Sequence, residues 1–199
     1  MTTGTNNTLI GGQAGDALTT GTGNVALGYD SLSAIDSGSR NTAIGYQALK
    51  DLTLGGIGYN TALGYSAGQA MTTGTSNTII GGLAGDALTT GSFSVAIGYN
   101  ALSTEDTGGR NVAIGYESLL ALNGSADGSN TALGIFSGTA VTSGVENTII
   151  GGNAGDALTT GDNNIIIGHN AAASAVGADN ETVIGTTATT NAKVHGLVK

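Results

Sequence analysis

The chain has 199 residues, 36 of them glycine, with no proline, no cysteine and a net charge of −9. These figures exclude a disulfide framework, a thiolate metal site and a triple helix of collagen type, and they disfavour nucleic acid and anionic membrane surfaces as partners. Charged residues make up 10% of the chain against about 25% in an ordinary globular domain, and no run of about 18 apolar residues could span a membrane.

The chain opens Met1-Thr2-Thr3-Gly4-Thr5, which returns as Met71-Thr72-Thr73-Gly74-Thr75. The start therefore reads as the middle of a coil: either something upstream has been lost or translation begins inside an array. From there an aliphatic residue followed by glycine recurs at Gly11, Gly28, Gly45, Gly64, Gly81, Gly98, Gly115, Gly134, Gly151, Gly168 and Gly185, at intervals of 17 or 19 residues. We number these eleven coils 1 to 11 and count positions so that the anchor glycine is position five. A second order lies above the first: 84–91 is identical to 14–21 and to 154–161, so four coils form a 70-residue super-repeat. The array fills 1–185, and 186–199 reads as a C-terminal transition segment in which the pattern breaks.

Position one is asparagine in nine coils: Asn7, Asn24, Asn41, Asn60, Asn77, Asn111, Asn130, Asn147 and Asn164; Ser94 and Glu181 are the exceptions. Position two is Thr, Val or Ile, position three Ala, Leu, Ile or Val, position four Ile or Leu, position eight Ala or Ser, and position twelve is usually aliphatic. A second glycine falls near position fifteen. Short β-favouring runs broken by glycine predict strand, turn, strand, turn in each coil. A single coil cannot bury its own face, and a stack can. The fold class expected is therefore all-β, a parallel β-solenoid of eleven coils of 17–19 residues, a rod on the order of 50 Å long at about 4.8 Å per coil. Asparagines stacked at that spacing suit a hydrogen-bonded ladder up the rod, the alternative being that Asn only tolerates a turn.

Alternation along the strand puts positions two and four on one face and position three on the other. With position four always a large aliphatic, that face is expected inside. Position three is never polar, so the outer face reads as dry too and needs a cover, most simply another copy of the chain. On this reading a charge at Ala113 would break assembly.

Asn111-Val112-Ala113-Ile114-Gly115 resembles the head repeats of YadA-like trimeric autotransporter adhesins, and Asn60 to Tyr65 and Asn41 to Leu49 resemble repeats of phage tail-fibre proteins. The resemblance covers nearly the whole chain. It implies a left-handed β-roll, three chains side by side and a role in surface attachment. The coils are longer than the adhesin type and carry a tyrosine stripe at position six: Tyr29, Tyr46, Tyr65, Tyr99 and Tyr116. The stretch 183–196 resembles the segment before a self-cleaving chaperone domain in some phage fibres.

Little chemistry is visible. His169 and His195 are the only histidines, His169 at the tyrosine position, where a trimer-generated imidazole ring is the alternative to a surface substitution. No Ser-His-Asp set or phosphate-binding lysine is indicated by spacing. Asp16, Asp86 and Asp156 lie 70 residues apart, too far for shared calcium ligands, and suit Asx turns. The tyrosine stripe suits ring-on-ring packing or, alternatively, stacking on sugars. No clustered acids or bases are seen to break the repeat at one height. No catalytic residue, cofactor or metal is expected.

The function expected is a structural fibre shaft in surface attachment, part of a phage tail fibre. The alternatives are the head of a bacterial trimeric adhesin and an ice-binding solenoid. Expected partners are copies of the chain itself in a homotrimer, other fibre or virion proteins, and a host-surface glycan or protein. Neither nucleic acid nor membrane insertion is expected, and the location is extracellular, on a virion fibre or bacterial cell surface. The candidate ligand-facing parts are the two-residue expansions in loops 51–59 and 120–129, bounded by Asp51, Tyr59, Leu120 and Ser129.

Overall fold

The computed structural model describes residues 3–124 and 127–189. Each anchor glycine ends one three-residue strand: β1 Thr8–Ile10, β2 Val25–Leu27, β3 Thr42–Ile44, β4 Thr61–Leu63, β5 Thr78–Ile80, β6 Val95–Ile97, β7 Val112–Ile114, β8 Thr131–Leu133, β9 Thr148–Ile150, β10 Ile165–Ile167 and β11 Thr182–Ile184. They form one parallel sheet in chain order, and among the described residues there is no helix. Register is position on position: Val25 pairs with Thr42, Ala26 with Ala43 and Leu27 with Ile44. The chain is a β-solenoid.

Two sequence expectations are corrected. The first is the second strand of each coil. Positions seven and nine adopt left-handed backbone, as at Gln47 (φ 55°) and Leu49 (φ 50°), which breaks any extended run there. The backbone still bonds coil to coil in that half: Leu32 N–H donates to the Ala48 carbonyl at 3.0 Å and Ala34 N–H to Lys50 at 3.0 Å. The ladder encircles the rod while only one side of it is a sheet.

The second correction is which strand face is inside. Position three is interior, with Ala113 and every other position-three residue from coil 2 to coil 10 fully or almost fully buried. Position four points outward, and Ile10 is 57% exposed. A charge at Ala113 would therefore break the coil itself, before any assembly. The reason is volume. The interior is narrow, and position three shares it with position nine: Ile79 faces Gly85 and Ile149 faces Gly155, while Ala43 goes with Leu49 and Ala113 with Leu119. Where both positions are small, neighbouring coils fill the gap. A methyl added at Gly68 would meet Ile79 Cδ1 at 2.9 Å and Leu49 Cδ2 at 3.0 Å. Positions three and nine could not both be large aliphatics in every coil. Position twelve completes the core, with Leu18, Ile35, Leu52, Met71, Leu88, Leu122, Val141 and Leu158 buried.

The anchor glycines are required twice over. Gly45 has φ +134°, outside the reach of other residues, and a methyl there would lie 2.2 Å from the Gly64 carbonyl oxygen of the next coil.

Candidate functional site

Positions one and three share a face, so the position-one asparagines point inward and from coil 2 to coil 10 are buried. Apart from Asn111, each amide is used at both ends. Asn24 Nδ2 donates to the Gly38 carbonyl of its own coil at 2.8 Å. Its Oδ1 accepts the Asn41 backbone N–H at 2.9 Å and Asn41 Nδ2 at 3.3 Å. The pattern repeats from Asn60 to Asn77 and from Asn130 through Asn147 to Asn164. Asn7 begins it, donating to Gly21 at 2.8 Å and accepting the Asn24 N–H at 2.9 Å. One amide thus closes its own coil and clamps it to the next.

The outward sheet face carries Ile or Leu at position four in all eleven coils, none buried, beside Thr, Val or Ile at position two. Next to it run the tyrosines. Tyr29, Tyr46 and Tyr65 stack with centroids 5.6 and 5.2 Å apart; Tyr99 stacks on Tyr116 at 5.6 Å, and Phe136 meets Tyr116 edge-on at 5.3 Å. Gly12, Gly82 and Gly152 interrupt the column every 70 residues, each lying under the ring of the following coil, Tyr29, Tyr99 and His169. His169 Nδ1 lies 3.0 Å from the Gly152 carbonyl, and His195 lies outside the described residues.

The expanded loops sit on one side of the rod. In the first, Asp51 is 3.9 Å from Lys50, and exposed Tyr59 accepts a hydrogen bond from Arg40, whose guanidinium lies 5.5 Å from the ring centroid. In the second, Arg110 pairs with Asp127 at 3.1 Å. Leu120 and Ser129 bound that loop without joining Asp51 or Tyr59 in a common site, for the two loops lie four coils apart.

The repeat is broken at one height after all. Coil 6 has Ser94 in place of the asparagine and Glu105 in the aliphatic column at position twelve, 1% exposed. Ser94 Oγ accepts the Asn111 N–H at 3.3 Å, and Asn111 Nδ2 is buried with no partner. Glu105 Oε1 accepts the Gly108 N–H at 2.8 Å. Burial pushes the Glu105 carboxyl above the ordinary glutamate range, opposed by hydrogen bonds from the backbone of Gly108, Gly124 and Asp106 and reinforced by the Asp106 charge. A cavity of about 130 Å³ adjoins it, lined also by Leu122, Gly128, Ser143 and Val145. Sequence reading passed over Glu105; comparing position twelve across the coils would have found it. Asp86 is a smaller case, its carboxyl raised by burial and held back by backbone N–H groups of Asp86 and Ala87. A larger depression of about 440 Å³ lies over the last coil between Asn170 and Thr187 and is lined by no titratable side chain.

No family model, curated protein or solved structure matches the chain. Among the described residues no three His, Cys, Asp or Glu side chains gather to hold a metal ion, and no helix is long and apolar enough to cross a membrane.

Proposed function

We propose that the chain is the shaft of an attachment fibre, three copies packed side by side through their outward sheet faces, in a phage tail fibre. The observation that carries this reading is the unbroken outward column of eleven aliphatic side chains. Five neighbouring tyrosines add about half of roughly 200 Å² each. With the aliphatics the face offers on the order of 1,000 Å², above the roughly 800 Å² per partner of a standard interface. The column runs the length of the rod, so its cover must be equally long and equally periodic, which another copy of the same rod is. The tail-fibre assignment, with host-surface glycans or proteins and other virion proteins as partners, rests on the Asn-Thr-Ala-Leu-Gly-Tyr flavour of coil 4. The head of a bacterial trimeric adhesin is the alternative.

Light scattering tests the assembly: the unmodified chain is expected to have three times the monomer mass. Ile97→Asp with Ile114→Asp should give a folded monomer with unchanged circular dichroism. A stable, soluble monomer of the unmodified chain ends this reading.

One observation favours ice binding as a second reading. Threonine points outward at position two in seven coils, in one parallel in-register sheet. Its neighbouring column is aliphatic and its own column is broken by Val25, Val95, Val112 and Ile165. Thermal hysteresis above that of a control protein would favour this reading over the fibre shaft.

A further inference from the structure

We infer that the junction between coils 6 and 7 is a protonation-gated seam: with Glu105 neutral the two coils are held together, and with Glu105 ionised the rod opens locally at this height. The inference concerns the interior of a single chain and does not depend on the trimer.

Four observations meet at the junction. Glu105 is the one charged residue in the buried core column, where a carboxylate loses its hydration. Its carboxyl group takes the Gly108 N–H of coil 6 at 2.8 Å and shares a cavity with Gly124 of coil 7, whose backbone favours the ionised form. The adjoining cavity of about 130 Å³ extends to Ser143 and Val145 of coil 8, so water has room beside the carboxylate once the junction loosens. Finally, the asparagine clamp that holds other neighbouring coils fails here, because Ser94 is too short to take the Asn111 amide. The clamp and the apolar contact are thus both replaced, at one height, by a single ionisable group.

Among the described residues no cation compensates that group. Asp106 is the charge in its own coil, and on the coil 5 side Thr89 bonds to Asp106. Coil 8 brings Ser143, Gly144 and Val145, none titratable. Arg110 and Asp127, toward the surface of coils 6 and 7, neutralise one another at 3.1 Å. Burial favours the neutral acid, so the folded-state value lies above the unfolded one. The stabilisation is then complete in acid and is lost as pH rises through the folded-state value.

Hydrogen exchange on the full chain, corrected for intrinsic rates and followed from about pH 4 to pH 8, tests the seam. Protection of 105–124 is expected to fall by up to tenfold per pH unit between the open-state and folded-state values of Glu105, the limit for one proton, and to level off above the latter. Protection of the equivalent 35–54 should stay level. In Glu105→Gln the pH dependence should vanish, and in Glu105→Ile with Gly124→Leu it should vanish as well. Equal, pH-independent protection of both stretches in the unmodified chain overturns the inference. So does a pH dependence that survives in either variant, which would assign it to Asp106 or Asp127.

Discussion

In coils 2 and 3, Asn24 closes its own coil on Gly38 and holds Asn41 by two hydrogen bonds, while Ile35 fills position twelve and Leu54 packs against the core. Seventy residues on, in coils 6 and 7, the same path carries Ser94, Glu105 and Gly124 in place of Asn24, Ile35 and Leu54. The backbone does not change course: Gly45 and Gly115 have φ of +134° and +140°. The difference teaches that the coil is defined by its glycines and its encircling hydrogen bonds. The interior is a separate choice, apolar and dry in one stretch, acidic and hollow in the other. Gly124, where Leu54 stands seventy residues earlier, leaves open space beside the acid.

The largest effect should come from moving the acid without its cavity. Ile35→Glu places a carboxyl against Leu54, and we expect a loss of about 4 kcal/mol in denaturant unfolding at neutral pH. A cost below about 1 kcal/mol would mean that the core column tolerates acids anywhere, and the comparison would lose its point.

Next comes the reverse exchange. Glu105→Ile alone leaves the Gly108 N–H without its acceptor, and Gly124→Leu alone sets an apolar side chain beside the carboxyl. Made together they recreate the dry pair of coils 2 and 3. A double-mutant cycle should show coupling of about 2 kcal/mol in favour of the pair. Strict additivity would show that Glu105 and Gly124 act independently.

The smallest expected change is Ser94→Asn. The new amide reaches the Gly108 carbonyl and gives Asn111 Nδ2 an acceptor, for a gain of about 1–2 kcal/mol in the same measurement. No gain would indicate that Asn111 Nδ2 is already satisfied by other means.

Much of this was legible in one dimension. A glycine every 17 or 19 residues marks each coil because only glycine reaches φ near +130° and lets successive coils approach to carbonyl contact. The column of asparagines was legible as a column; that seven of the amides donate fourteen residues ahead was not, because no local rule links those positions. The broken height was half visible, in Ser94, and half overlooked, in Glu105.

By itself the sequence determined the coil count, the parallel in-register stack and the super-repeat, all of which follow from periodicity along the chain. Only the tertiary structure decided which strand face is inside. Alternation says that positions three and four oppose one another, and hydrophobicity cannot choose between two apolar columns. The choice is made by the width of a closed coil, which on the strand side takes Ala43 with Leu49, or Ile79 with Gly85, and has no room there for leucine or isoleucine in every coil.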